Sequence, residues 1–167
     1  MTSRTLIPAA LLLFGCSLHR RAAAPEPARG PARDSLFHLD QSRADSVAAR
    51  GPVDGSLAVL GADVVYLRAG VPAVYGLDAA RTLIAASAAS APSAQSWQPL
   101  GGAVSRDLRD AYTFGVAARL AAPGKIELER YVAYWRRDRS QAWRIIAYVE
   151  VGGLPGAEVA LSAQQLA

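Results

Sequence analysis

The sequence has a single cysteine, Cys16, and only two histidines among its 167 residues. One cysteine excludes an internal disulfide framework, and so few thiol and imidazole groups exclude a multi-cysteine zinc site. The sequence also has no glycine-rich phosphate loop, no Gly-x-Ser-x-Gly nucleophile elbow and no metal-ligand cluster. We therefore expect no metal and no cofactor.

Charged residues are also scarce, at 19% of the chain, and they are unevenly placed. Five of the 18 basic residues but only one of the 14 acidic residues precede Asp34, so that 13 of each sign follow. The net charge of +4 therefore belongs to the N-terminal segment. A neutral remainder argues against nucleic acid as a partner. A hydrophobic content of 51% excludes a disordered polar chain and suits one domain of ordinary size.

The first apolar stretch, residues 6–14, follows Arg4 and is short. As a helix it would be about 14 Å long, under half of the roughly 30 Å needed to cross a bilayer. Such a segment behind one positive charge is typical of a secretory signal, and we predict a signal peptide over residues 1–15. The alternative is cleavage by a general signal peptidase after Ala24.

The end of this stretch, Leu13-Phe14-Gly15-Cys16, resembles the bacterial lipobox, in which the cysteine is lipidated and becomes the new N-terminus. The resemblance implies an exported lipoprotein anchored to a membrane of the cell envelope through Cys16. Residues 16–33 are rich in proline and have no apolar periodicity, which predicts a flexible tether. Its arginines would lie against anionic headgroups or simply be solvated.

The remainder divides into a domain over residues 34–151 and a C-terminal tail over 152–167. Apolar spacings of three and four favour helices at the start of the domain, and alternating patterns favour strands after it. This order indicates an α+β fold, with two or three N-terminal helices on the concave side of a curved antiparallel sheet. The predicted helices cover residues 34–49, 53–60 and 78–87, and the predicted strands cover 63–67, 72–75, 97–104, 110–120, 125–137 and 142–151.

Three stretches resemble the SnoaL-like group of the nuclear transport factor 2-like superfamily. The first is Ala58–Leu67 with Pro72–Ala79, the second is Asp110–Gly115, and the third is Arg130–Arg137 with Trp143–Tyr148. The resemblance implies a cone-shaped barrel whose sheet and first helices enclose one pocket. Family members include isomerases, cyclases, dehydratases and binding or dimerisation modules, so that the fold alone does not give the function.

Aromatic side chains on the predicted strands supply a candidate lining for this pocket. Rigid aromatic walls with a few hydroxyl groups suit a small, mostly apolar ligand. The alternation along 143–151 is out of phase with that of 126–136, which predicts a bulge or a different register. The candidate lining residues are Tyr66, Trp97, Tyr112, Phe114, Tyr131, Trp135 and Tyr148.

Candidates for acid–base catalysis are few. His38 and Asp45 lie seven residues apart on one face of the first predicted helix. Many relatives carry an aspartate on the last strand where this chain has Tyr148, and this departure weakens the case for an enzyme. We therefore expect binding of a small hydrophobic molecule without turnover. The alternatives are a proton-transfer enzyme, with His38 or Asp45 as base and Tyr112 or Tyr148 as hydrogen-bond donor, and a module that homodimerises through its open sheet face.

Overall fold

The computed structural model of the chain describes residues 26–90, 95–122 and 125–152. Cys16, the predicted signal peptide over 1–15 and the tail beyond Gly152 lie outside these residues, so that those assignments stay predictions. None of the helices within the described ranges is long and apolar enough to span a membrane. The helices are α1 (Glu26–Gln41), α2 (Arg43–Arg50), α3 (Pro52–Leu57) and α4 (Leu77–Ser90). The strands are β1 (Leu60–Arg68), β2 (Val74–Tyr75), β3 (Gln95–Val104), β4 (Asp110–Ala122), β5 (Lys125–Arg137) and β6 (Trp143–Gly152).

One sheet contains all six described strands, in the order β2-β1-β6-β5-β4-β3. The predicted α+β class, with N-terminal helices packed on a curved sheet, is confirmed. The sheet is mixed where we expected it to be antiparallel, because β1 pairs with the last strand, β6, in parallel. Strands β3 to β6 form an antiparallel meander, which follows from the short turns that connect them.

The first predicted helix differs from the observed one at both ends. Helix α1 begins at Glu26, eight residues before the predicted start at Asp34, and thus includes residues assigned to the tether. Pro27 stands in its first turn, where a missing N–H is tolerated, although Pro31 lies inside the helix. The chain bends at Ser42, whose hydroxyl donates to the carbonyl oxygen of Leu39 at 2.8 Å, and α2 begins at the next residue.

Strand β6 contains the bulge that the alternation predicted. Trp135 pairs with Ile145 and Tyr134 pairs with Ala147, which leaves Ile146 as the extra residue. Before the bulge the odd-numbered side chains of β6 face the helices, and after it Tyr148 and Glu150 do so. The bulge therefore brings a tyrosine and a carboxylate into the interior.

The core lies between the helices and the concave face of the sheet. Leu36, Val64, Trp135 and Ile145 are completely buried there. The indole N–H of Trp135 donates to the Thr113 hydroxyl at 2.9 Å, so that a buried polar atom is satisfied within the sheet.

Gly102 allows α1 to approach β3 closely. A Cβ at this position would lie 2.9 Å from Cε1 of Phe37 and 2.3 Å from the carbonyl oxygen of Tyr112, so that the packing requires glycine. This contact fixes how α1 crosses the sheet and hence where the residues after Phe37 point.

Candidate functional site

A buried arginine occupies the centre of the cone. Arg43, at the start of α2, is only 3% exposed. Its guanidinium carbon lies 4.4 Å from the ring centroid of Trp97, 4.7 Å from that of Tyr148 and 5.9 Å from that of Tyr131. Aromatic faces attract a desolvated cation, so these three rings form a cage around the guanidinium.

Asp40 neutralises this cation from the preceding helix. Its side chain is completely buried, with Oδ1 at 3.3 Å from Arg43 Nη1 and Oδ2 accepting a hydrogen bond from the Tyr131 hydroxyl at 2.7 Å. Burial and the neighbouring carboxylate of Asp40 raise the pKa of Tyr131, so that its hydroxyl stays a donor. Burial disfavours the charged form of Arg43, but the interactions with Tyr148 and Asp40 outweigh the effect of burial and raise the pKa of Arg43. Asp40 and Arg43 therefore form an ion pair.

A second polar cluster lies on β1 and β6. The Tyr66 hydroxyl donates to Oε2 of Glu150 at 3.1 Å, and Nε of Arg68 forms an ion pair with the same carboxylate. Arg68 and Glu150 are partners in the parallel pairing of these strands. Burial and the charge of Glu150 raise the pKa of Tyr66.

Glu129 on β5 adds a second carboxylate next to this cluster. It lies 3.4 Å from Arg119 Nη2. Burial, reinforced by the negative charge of Glu150, raises the pKa of Glu129 in spite of the arginine. The interior thus holds two carboxylates close together, and the proton affinity of one is increased.

A cavity of about 30 Å³ lies between the two polar clusters. The indole N–H of Trp97 donates to the Tyr148 hydroxyl at 3.1 Å along its wall, and burial raises the pKa of Tyr148 to about 12. The volume suffices for one or two water molecules, whereas sites for small organic ligands have about 300–1,000 Å³. The lining includes apolar residues (Leu60, Ile84, Trp97, Ala117) and a larger number of polar ones (Arg43, Ser56, Tyr66, Arg68, Arg119, Glu129, Tyr148, Glu150).

The predicted aromatic lining is divided between the two faces of the sheet. Tyr66, Trp97 and Tyr148 line the cavity, and Tyr131 and Trp135 are buried in the interior without lining it. Tyr112 and Phe114 are on the opposite face, 44% and 43% exposed, because the alternation of β4 turns Thr113 inward between them. These two residues therefore cannot contact a ligand inside the cone.

The two catalytic candidates lie outside the cone. His38 and Asp45 are exposed and line a surface groove of about 370 Å³ together with Ser96 and Gln98. Neither side chain lines the interior cavity. Within the described ranges, no group of three or more histidine, cysteine or acidic side chains is arranged to hold a metal ion.

Sequence reasoning missed the charged residues of the interior. Asp40 and Arg43 share the core-facing stripe of the first helices with Leu36 and Val47, at spacings of three and four. An acidic and a basic residue in phase with an apolar stripe is the signal from which a buried ion pair could have been predicted. On the strands, Glu129 and Glu150 gave no such signal, because the sequence does not reveal which face of the sheet they occupy.

The outer face of the sheet carries an apolar patch. The rings of Tyr112 and Phe114 lie 6.5 Å apart in a stacked arrangement on this face. The outer patch consists of Tyr112, Phe114, Val132, Tyr134, Val149 and Val151, each between 36% and 46% exposed.

No protein-family profile and no curated protein matches the chain. Solved structures do resemble it. A ketosteroid isomerase-like protein from Erwinia carotovora atroseptica is 13% identical, with a TM-score of 0.60 over 72% of this chain and 96% of that one. An NTF2-like protein from Pseudomonas putida is 14% identical, with a TM-score of 0.61 over 77% and 91%. A putative calcium/calmodulin dependent protein kinase II association domain from Xanthomonas campestris is 16% identical, with a TM-score of 0.59 over 83% and 99%.

These likenesses define the class of the molecule: it has the nuclear transport factor 2-like cone fold. At such low identities the comparisons show the fold alone, so that any function has to be argued from the residues of the interior.

Proposed function

We propose that this chain is an exported bacterial lipoprotein of the SnoaL-like group, anchored through Cys16. In this proposal its cone binds a small, mostly apolar molecule with one polar end, without turnover. The signal-like segment and the lipobox-like Gly15-Cys16 support the anchoring. The cone fold and the lining of its cavity support the binding.

The observation that carries the binding proposal is the mixed lining of the cavity. Leu60, Ile84 and the Trp97 ring offer apolar surface in the same cavity as the polar groups of Arg68 and Glu150. Binding sites commonly combine apolar surface with polar groups that orient the ligand. A molecule with an apolar body and one polar end matches both parts of this lining.

The pairing of the interior acids favours binding over proton transfer. Asp40 is held by Arg43 and Tyr131, and Glu150 is held by Arg68 and Tyr66. A general base has to reach the proton that it removes, whereas these carboxylates already face cations and hydroxyl donors.

The cavity has to widen to accept such a molecule. Nη1 of Arg68 contacts the Ser87 hydroxyl near the end of α4, and both residues line the cavity. Displacement of this contact would enlarge the space between α4 and the sheet. Side-chain rearrangements of this kind are common when a partner binds.

Native mass spectrometry of the protein isolated from its own host tests the proposal. We expect a retained small molecule on the wild-type chain. Ala117→Phe, which fills the cavity between Trp97 and Glu129, should abolish that extra mass. Ala103→Phe, at an exposed position of β3, is the matched control and should keep it.

The same preparation separates the alternatives, once circular dichroism shows that both variants are folded. Retention of the molecule by the Ala117→Phe variant would show that the cone is not the binding site. Its conversion into a product during incubation would establish the enzyme alternative, and Glu129 with its raised pKa would then be the first residue to replace.

The outer patch favours a second function, homodimerisation through the sheet. Its six side chains are large and apolar, and such a surface commonly marks an interface. We propose a second copy of this chain as the partner, since the outer faces of β4 and β5 can pack against their own equivalents across a two-fold axis. Sedimentation equilibrium should show a dimer that Phe114→Glu dissociates and that Val71→Glu, at an exposed position outside the patch, leaves intact. A wild-type monomer at micromolar concentration would contradict this function.

A further inference from the structure

Arginines are concentrated at one end of the sheet, where the β3–β4 and β5–β6 turns meet. We call this region the basic end. Six arginines and four aspartates form it. They are Arg106, Arg109, Arg136, Arg137, Arg139 and Arg144, with Asp63, Asp107, Asp110 and Asp138.

A hollow of about 530 Å³ lies within the basic end, between the start of β1 and the β5–β6 turn. Two of its arginines are held in place by the backbone. Nε of Arg137 donates to the carbonyl oxygen of Leu108 at 3.0 Å, and its guanidinium lies 4.4 Å from the Trp143 ring centroid. Nη1 of Arg144 donates to the carbonyl oxygen of Ala58 at 2.7 Å. Because these side chains are already ordered, an anion would immobilise little more of the chain on binding.

The aspartates offset only part of this charge. Asp110 pairs with Arg136 at 2.8 Å, and Asp138 pairs with Arg144 at 3.1 Å. Arg106, Arg109 and Arg139 are exposed in the two turns. The basic end therefore presents a net positive surface, although the domain as a whole is neutral.

The start of α1 lies at the same end of the molecule. Phe37 packs on Gly102 of β3, and Arg43, further along the helices, packs on Trp97, nearer the start of that strand. Followed from Phe37 back to its first residue, Glu26, helix α1 therefore extends toward the β3–β4 turn. Glu26 is ten positions after Cys16, and ten positions of chain reach at most about 35 Å.

We infer that the basic end is a docking surface for a bilayer that contains anionic phospholipids. The inference rests on the proposed anchoring at Cys16, because that anchor would place a bilayer within reach of the domain. Basic residues near an anionic surface are attracted to it, and the hollow gives a phosphate-bearing headgroup room between ordered arginines. Arg68 and Glu150, which line the cavity, lie at the other end of the strands, about 20 Å away for six residues of β6.

Co-sedimentation with vesicles tests this docking without depending on lipidation. The full chain carrying Cys16→Ser is mixed with vesicles of phosphatidylcholine alone or of equal parts phosphatidylcholine and phosphatidylglycerol. Since the leader is the same in every variant, the readout is the affinity for anionic vesicles relative to this Cys16→Ser parent. We expect the double substitution Arg106→Gln with Arg139→Gln to weaken the affinity for anionic vesicles about 25-fold, which corresponds to roughly fivefold for each arginine.

The control double variant, Arg50→Gln with Arg130→Gln, removes the same charge at exposed positions away from the basic end. It should weaken binding less than twofold. Equal weakening by the two double variants would overturn the inference, because net charge alone would then explain the attraction. Unchanged binding of the Arg106/Arg139 variant would overturn it as well. Neither result affects the anchoring, which fatty-acid labelling of Cys16 tests separately.

Discussion

The Tyr131 hydroxyl donates a hydrogen bond to Oδ2 of Asp40 across 2.7 Å, and both side chains are buried. The bond joins α1 to the central part of the sheet. It also holds in place the Asp40 carboxylate that neutralises Arg43, so that Tyr131 supports the ion pair at the centre of the cone. A hydrogen bond to a buried charged group is stronger than one between neutral groups.

Replacing this tyrosine by phenylalanine should destabilise the fold. Tyr131→Phe removes one partner of a buried carboxylate and leaves an acceptor unsatisfied, which costs about 1–3 kcal/mol of unfolding free energy. Tyr134→Phe removes the same hydroxyl from the exposed face of the same strand and should change the unfolding free energy by less than about 0.5 kcal/mol. Urea denaturation measures both. Equal losses in the two variants would show that the bond to Asp40 adds nothing.

The Asp40–Arg43 pair should behave as a coupled unit. Arg43→Met keeps much of the side-chain volume but leaves the Asp40 carboxylate without its cation, and breaking a buried pair in this way costs about 3–5 kcal/mol. Asp40→Asn in the same chain removes the unpaired charge. We therefore expect the double variant to be more stable than the sum of the two single losses predicts, by about 0.5–3 kcal/mol in urea denaturation. Additive losses would contradict a direct interaction.

Alternating strand patterns were sufficient to predict most of the sheet. The predicted β5, residues 125–137, coincides with the observed strand Lys125–Arg137, and the phase conflict with β6 correctly predicted a bulge. The predicted start of α1 was wrong because the prolines of this segment favoured a tether, whereas the helix includes Pro27 in its first turn and Pro31 in its interior.

The interior was harder to predict, for two physical reasons. A strand has a period of two, so that one position of phase decides whether Tyr112 and Phe114 or their neighbour Thr113 faces the interior. The hydrogen bond that holds Asp40 comes from Tyr131, 91 residues away, and no local pattern reveals that contact. Of the predicted lining residues, Trp97 and Tyr148 are buried and border the cavity, and their role toward a ligand stays a prediction.

Alkaline pH should destabilise the protein through Tyr148. Burial raises its pKa from the ordinary value of 10.0 to about 12, so that the neutral hydroxyl is favoured in the folded state. The resulting stability is fully present below about pH 10 and is lost as the pH rises through 12. The unfolding free energy of the wild type, measured by urea denaturation, should therefore fall across this interval. In the Tyr148→Phe variant this fall should be smaller by up to about 2–3 kcal/mol. Tyr75→Phe, at a side chain that is 72% exposed, is the control. Parallel pH curves for the wild type and Tyr148→Phe would argue against this contribution.

Cys16→Ser should abolish lipid attachment. The proposed anchor forms on the Cys16 thiol, and a serine hydroxyl at the same position cannot take its place. Cells grown with labelled palmitate should incorporate the label into the wild-type chain and not into the variant. The variant should also leave the membrane fraction when the membranes are washed with concentrated salt, because the salt screens the arginines that attract anionic lipid.

A matched substitution, Ser17→Ala, tests whether the thiol itself is required. It changes the neighbouring residue and should leave both labelling and membrane retention intact. Acyl chains contribute about 0.8 kcal/mol for each buried methylene group, so that an acylated chain resists the wash whereas arginine contacts do not. Labelled palmitate on the Cys16→Ser chain would show that the attachment point lies elsewhere. The absence of label on the wild-type chain would show that Cys16 is not lipidated. Cleavage after Ala24 would then be the remaining route of export.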